Sequence, residues 1–251
     1  MPKLTVIVDH LDRYLRHAEI GDYSGAWNGL QIENSGRVSK VAAAVDACAW
    51  TIERAVERGA NLLLVHHGLF WNGVQPVRGA TRRKIKAALD GNLAIYSSHL
   101  PLDLHPKVGN SMLLAQALGF KKLAPFFQAK DQAIGFQTRA TLTRMELKHR
   151  LEKALGGPVH LCPGGPEKTA RIGIVTGGAG GEIAQAAAEG VDAFITGEGP
   201  HHSYTLAEEL GVNLFYGGHY ATETFGVNAL AAHVARRFRI PWEFIDHPTG
   251  L

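Results

Sequence analysis

The chain has little sulfur, little net charge and no long apolar run. Of its 251 residues two are Cys and three are Met. Cys48 and Cys162 lie far apart and match no zinc or redox spacing, so neither a thiolate metal cluster nor a disulfide framework is expected. Free thiols in a reducing cytosol are the simplest reading. No apolar stretch is long enough to cross a bilayer. Leu4-Thr5-Val6-Ile7-Val8 is followed at once by Asp9 and His10, unlike a signal peptide. A cytoplasmic protein without a membrane partner is therefore expected. Lys and Arg number 26 against 23 Asp and Glu, a net charge of +3. The only basic run, Arg82-Arg83-Lys84, reads as a solvated helix face, so no nucleic-acid partner is expected.

What the chain does have is 13 His and 29 Gly set among short apolar runs. Apolar residues at helical spacing over 4–18 predict an opening amphipathic helix. A strand is expected at 41–46, a helix at 49–58 stopped by Gly59, and a strand at 61–65, a βαβ pattern that implies parallel pairing. Helices follow at 80–90 and 109–118, with a strand at 93–97 between them. Further on, a strand is expected at 133–142, a helix at 145–155 and a Gly- and Pro-rich surface loop at 158–168.

The second half repeats the first. At a constant offset of 131 residues, Val41 falls on Ile172, Ile52 on Ile183, Gly59 on Gly190 and Leu62-Leu63-Leu64 on Ala193-Phe194-Ile195. The expected fold is therefore α/β: two similar α/β units with mixed or mainly parallel sheets. A helix from about His219 to Arg236 and a closing strand at 241–245 complicate a plain two-block division. Residues 1–125 with 215–251 are expected to form a discontinuous first domain carrying most metal ligands, with 126–214 inserted.

Three strand ends carry the chemistry. Leu62-Leu63-Leu64-Val65 runs into His66-His67-Gly68, the strand at 93–97 into Ser98-His99 and on to Asp103, and the run ending at Tyr216 into Gly217-Gly218-His219 and on to Glu223. Open α/β sheets place their ligands at the carboxyl ends of strands. Adjacent imidazoles point to opposite faces in a continuing strand, so His66 and His67 share a site only if the strand ends there, or they serve two neighbouring ions. Asp103 could bridge such a pair, and His219 and Glu223 at i, i+4 share one helix face. This N and O donor set leaves open positions, as a catalytic site does. It suits zinc, iron, manganese, cobalt or nickel without choosing between them. His99 and His105 read equally as hydrogen-bonded rim residues. Glu198, His201 and His202 occupy the repeat's counterpart of the His66-His67 turn; they read as general acid or base, or as surface loop. Thr176-Gly177-Gly178-Ala179-Gly180-Gly181 reads either as a cradle for a phosphate or carboxylate or as a tight turn against a helix.

Together these segments resemble a known family. His66-His67-Gly68-Leu69-Phe70-Trp71 resembles its HHPLFW-type motif, Ser98–Asp103 its HxxxD segment and Ile195-Thr196-Gly197-Glu198 its ITGE turn. Gly218–Glu223 resembles its GHxxTE helix start, and Trp27-Asn28-Gly29-Leu30-Gln31 its N-terminal W(D)NxGLQ signature. The chain is similar to the Nif-three-like (YbgI-like) dinuclear-metal family, whose members are often labelled type-two GTP cyclohydrolase homologs. The resemblance implies a metal cleft between the two units, with two divalent metal ions held by His66, His67, Asp103, His219 and Glu223 and His99 accessory, and a toroidal homohexamer. Gly68 stands where the family often has proline, and Gly199-Pro200-His201-His202 is richer in histidine than the corresponding turn of some relatives.

The expected function is a metal-dependent hydrolase acting on a nucleotide or other phosphorylated small molecule, GTP cyclohydrolase-like by the family label. Glu198, His201 or His202 would move protons. The alternative is a non-catalytic metal-handling or regulatory protein.

Overall fold

Val41–Asp46 is an almost wholly buried strand of five Ala and Val residues, a composition that suits a central strand covered on both faces. It belongs to a computed structural model that describes residues 1–71, 73 and 75–251. The chain divides into two units, Met1–Val108 with Gly226–His247, and Gly109–Phe225 with Pro248–Leu251.

The first unit opens with α1 (Leu4–Tyr14), which buries Leu4, Ile7 and Leu11. The helix is shorter than its apolar spacing predicts because Arg16 adopts a left-handed φ of 59° and reverses the chain. There follow β1 (Gly29–Ile32), β2 (Val41–Asp46), α2 (Ala49–Glu57), β3 (Leu62–His67), α3 (Gly79–Asp90), β4 (Ala94–Ser97) and the single turn α4 (Leu100–Asp103). Helix α2 starts at a capping box, in which the Cys48 sulfur accepts from the Thr51 amide and Thr51 Oγ1 accepts from the Cys48 amide. Gly59, at φ +73°, reverses the chain after it.

The second unit comprises α5 (Asn110–Ala117), β5 (Ala124–Ala129), β6 (Gln132–Thr143), α6 (Arg144–Leu155), β7 (His160–Pro163), β8 (Lys168–Ile174), α7 (Ile183–Ala188), β9 (Ala193–Thr196), α8 (His202–Leu210) and β10 (Asn213–Tyr216). The long helix α9 (His219–Phe238) begins in this unit and continues into the first, where β11 (Trp242–Phe244) closes the chain's sheet work. Alternate residues serve opposite faces of the second sheet. Ile195 and Phe215 pack with Leu114, Leu147 and Leu151 of α5 and α6, whereas Phe194 and Leu214 pack with Ile183 and Ala207 of α7 and α8.

Both units are α/β with mixed sheets, ordered β1-β4-β3-β2-β11 and β5-β6-β8-β9-β10-β7. The internal repeat holds in register. Val41 pairs with Leu62 and Ile172 with Ala193, both in parallel ladders, each residue 131 from its counterpart. The expected loop at 158–168 is corrected by β7, an antiparallel edge strand on β10. It sits 131 residues after β1, which lies antiparallel on β4 in the same way. The expected domain boundaries also shift. Residues 109–125 and 215–225 belong to the second unit, because α5 packs beneath β6 and β8 and because β10 pairs with β9. His219 and Glu223 therefore fall in the second unit, not with the other expected ligands in the first.

Candidate metal centre

Strand β3 delivers both its histidines. His66 is fully buried, His67 lies partly open opposite Asp46 in the β2–β3 ladder, and their ring centroids are 4.8 Å apart. The strand runs through His67 and is not cut short before it. One ring nitrogen from each of His66, His67 and His99 lies within 4.8 Å of the others, a trio that could hold a metal ion. Asp103, buried at the end of α4, brings Oδ2 to 3.4 Å from His66 Nε2. His99 thus stands with the expected ligands rather than apart from them.

In the second unit, His219 begins α9. Its Nε2 lies 3.1 Å from Oε2 of the buried Glu223, and its Nδ1 donates to Glu198 Oε1 at 2.8 Å. The i, i+4 pairing expected from sequence is present. Glu198 is brought to His219. His201 and His202 instead stand exposed at the start of α8, with His201 lining a shallow depression beside His160, Tyr204 and Tyr216.

The orientation of the imidazoles tests whether these residues suit a metal. Nδ1 of His66 donates to the Ser98 carbonyl at 3.0 Å, that of His67 to Asp46 at 2.9 Å and that of His99 to Asp22 at 2.9 Å. His219 donates the same nitrogen to Glu198. In all four rings Nδ1 carries the proton, so the neutral tautomer presents the Nε2 lone pair. An oxygen partner on the far nitrogen is the arrangement that orients metal-binding histidines and raises their basicity. The donor set fits a divalent ion.

Sequence reasoning did not pick out Asp22, Asn28 or Asp46. Asp22 accepts from His99, from the amides of Tyr23 and Leu100 and from Asn28 Nδ2, while Asn28 Oδ1 accepts from the His99 amide. Burial opposes charge on Asp22, but the hydrogen bonds from His99, Asn28 and Tyr23 and the His99 charge hold its pKa below the usual carboxylate value. Asp46 had a readable signal, since the register that sets Val41 beside Leu62 also sets Asp46 beside His67. Asp46→Asn keeps the shape and removes the charge, and should weaken metal binding by roughly 10- to 100-fold. Competition against a chromogenic chelator reads this directly, and an unchanged affinity would remove Asp46 from the site.

In the glycine-rich turn at 176–181 three amides are committed within the fold: Gly177 donates to Thr222 Oγ1, Ala179 to Thr196 Oγ1 and Gly180 to the Glu198 carbonyl, which favours the tight-turn reading over the anion cradle. The glycines allow close approach instead. A Cβ on Gly180 would sit 2.6 Å from the Tyr216 ring.

Between two carboxylates, His219 has an altered affinity for protons. Burial opposes its charge, but Glu223 and Glu198 outweigh this and raise its pKa to about 9. In metal-free protein this imidazolium contributes stability that is complete below the ordinary value of 6.5 and is lost as pH rises through about 9. A metal ligand must be the neutral ring. Metal uptake at pH 7 should therefore release a proton, and the heat of binding should vary with the ionisation enthalpy of the buffer. A heat independent of buffer would show that His219 gives up no proton to the metal.

The profile of Duf34/NIF3 (NGG1p interacting factor 3) matches residues 2–249. A Deinococcus radiodurans protein named "GTP cyclohydrolase 1 type 2 homolog" is 40% identical over 250 residues, covering 98% of this chain and 93% of that protein. The crystal structure of TTHA1606 from Thermus thermophilus is similar at TM-score 0.91 with 38% identity, and that of protein ybgI, of unknown function, at 0.92 with 35%; each comparison covers both chains completely. Among the described residues no helix is long and apolar enough to cross a membrane. With its motifs in order and its length matched throughout, the chain belongs to the DUF34/NIF3 family.

Proposed function

We propose that His66, His67, Asp103, His219 and Glu223, with His99 beside them, hold two divalent metal ions and that the protein is a metal-dependent hydrolase of a small molecule. The observation that carries this reading is the common polarity of the four imidazoles, each with Nδ1 donating to an oxygen. A metal-binding histidine donates its other ring N–H to a carboxylate, a carbonyl or water, and all four rings here do so. Such ions, when bound, supply Lewis-acid polarisation of the scissile group and make water acidic enough to attack near neutral pH.

The chain's own residues do the rest. Asp46, Asp22 and Glu198 fix the rings and strengthen their donor nitrogens. Burial of His66, Asp103 and Glu223 excludes bulk water and strengthens every charge interaction around them. Glu198, beside His219, is the nearest group to move a proton to or from a substrate, with His201 and His202 as the further candidates from the same turn. The relatives' name suggests GTP or another nucleotide as substrate. The protein is read as cytoplasmic and as a homo-oligomer, hexameric by family resemblance, with no nucleic-acid partner.

Elemental mass spectrometry on anaerobically purified protein, followed by a nucleotide and phosphoester panel on the same sample, tests this. About two ions per chain with metal-dependent turnover is the expected result. Two tightly held ions without turnover would assign metal handling instead, and a protein that takes up no metal would end the proposal. His202→Ala, at an exposed position, should keep the metal; slowed turnover would make His202 a proton carrier, and unchanged kinetics would leave that role to Glu198.

A further inference from the structure

Two large aromatic side chains remain open to solvent beside the histidine trio of the first unit, Tyr23 at 47% and Trp71 at 41% exposure; Trp27, at 64%, sets its ring against Phe70. Aromatic rings are the side chains with most to gain from burial, so two exposed beside one donor cluster mark a binding surface. Trp71 meets His99 edge-on with centroids 4.7 Å apart and lies 5.5 Å from His67. Tyr23 is 6.0 Å from His99 and 6.5 Å from Trp71. The aromatic surface begins where the imidazoles end.

The segments carrying these rings are tied to one another. A Cβ on Gly25 would fall 2.2 Å from the Trp71 carbonyl oxygen, so the two loops touch backbone to backbone at a residue that must be glycine. Gln31 ties the same segments together: Nε2 donates to the Trp27 carbonyl at 2.8 Å, and Oε1 accepts from the Leu69 amide at 2.7 Å. Trp27 itself has φ +41°, a backbone conformation that bulky residues avoid. Such a conformation persists only where the surroundings enforce it, and it concentrates at ligand clamps. Exposed rings on an enforced backbone form a preorganised surface.

We propose that Trp71 offers a stacking face for a flat heteroaromatic ring, with Tyr23 standing at 61° to it as an edge-on wall, and that the substrate of the metal centre is a compound carrying a nucleobase or a similar heterocycle. The placement beside the substrate's reacting end rests on the metal-centre reading above; the stacking itself does not. Ring-on-ring recognition tolerates different bases because each offers a π face.

The test titrates metal-free and metal-loaded protein with GMP, AMP and ribose 5-phosphate, following tryptophan fluorescence and calorimetric heat. Both nucleotides should quench and bind, and ribose 5-phosphate should do neither. Trp71→Leu and Tyr23→Leu keep apolar bulk but remove the ring. Trp71→Leu should weaken nucleotide binding about 5- to 150-fold, the range for loss of one base–aromatic stack, and Tyr23→Leu by less, with metal content unchanged in both. Trp50→Leu, at a ring stacked on His247, should leave binding as it was. Equal binding of ribose 5-phosphate, or full affinity in both Leu variants, would overturn the platform. So would a change in sedimenting mass in those variants without any nucleotide effect, which would make the surface a contact between copies of the chain. Ring-dependent binding in a protein that takes up no metal would keep the platform and overturn the metal-centre reading instead.

Discussion

Asp103→Ala should leave a folded protein that no longer loads its full complement of metal. The carboxylate sits buried at the end of α4 with Oδ2 3.4 Å from His66 Nε2, so its removal withdraws both a donor oxygen and the negative charge that offsets a dication. The loss of affinity should exceed the roughly 10- to 100-fold expected when an outer partner such as Asp46 is changed. Stability gives an independent readout. A ligand present at 100 times its dissociation constant stabilises a protein by about 2.7 kcal/mol. Wild-type protein should therefore melt higher with metal than with chelator, and in Asp103→Ala that difference should collapse while the chelated melting temperature changes little. Asp103→Asn, which keeps the shape, should behave like the alanine variant if charge is what matters. Turnover that persists in Asp103→Ala after its metal is gone would defeat the hydrolase reading.

Gly177→Ala should damage both the stability and the metal loading of the second unit. At φ +75° alanine is strained by about 1–2 kcal/mol. The new Cβ would also lie 2.3 Å from Glu223 Oε1 and 3.5 Å from His219 Nε2. The backbone cannot withdraw, because the Gly177 carbonyl accepts from the amides of Gly197 and Glu198 and from Thr196 Oγ1 while its amide donates to Thr222. Glu223, almost fully buried, is the group that must move. Overpacking of this kind adds about 1–3 kcal/mol, for a total fall in melting temperature on the order of 5–15 °C, together with impaired metal loading. Gly178→Ala is the control. Its Cβ would make only ordinary contacts, the nearest at 3.6 Å to the His219 ring, and φ there is negative. Equal metal content and melting temperature in the two variants would show that Glu223 does not lie against Gly177.

These positions also show how far the sequence could be read. The apolar runs at 41–46, 62–65 and 193–195 were legible because burial on both faces leaves a compositional mark that no loop would keep. The offset of 131 residues was legible over the same span, but it stopped short of Gly29–Ile32 and so missed β7, whose Gly and Pro neighbours read as a loop. The ligands stood out as rare residues at strand ends. Their partners did not: one Asp at the end of an alanine-rich strand carries no local pattern, and Asp46 gains its meaning only from the strand beside it. The choice between anion cradle and tight turn at 176–181 could not be made from composition, which does not reveal which amides are already bonded. The repeat is instructive here. Asp46 and His67 of the first unit correspond to Gly177 and Glu198 of the second, so the same two ladder positions hold a carboxylate–imidazole pair in one copy and leave room for Glu223 in the other.

The parallel pairing of β11 with β2 has a consequence for the order of assembly on the ribosome. Trp242 must find Val41, about 200 residues earlier, before the first sheet has both its edges. The second sheet, by contrast, is assembled from strands lying between Ala124 and Tyr216. Domains usually mature in the order in which they emerge during synthesis. Here the amino-terminal unit begins first and finishes last, so a released chain truncated after Phe225 should hold a protease-resistant second unit beside a first unit that is still open to cleavage.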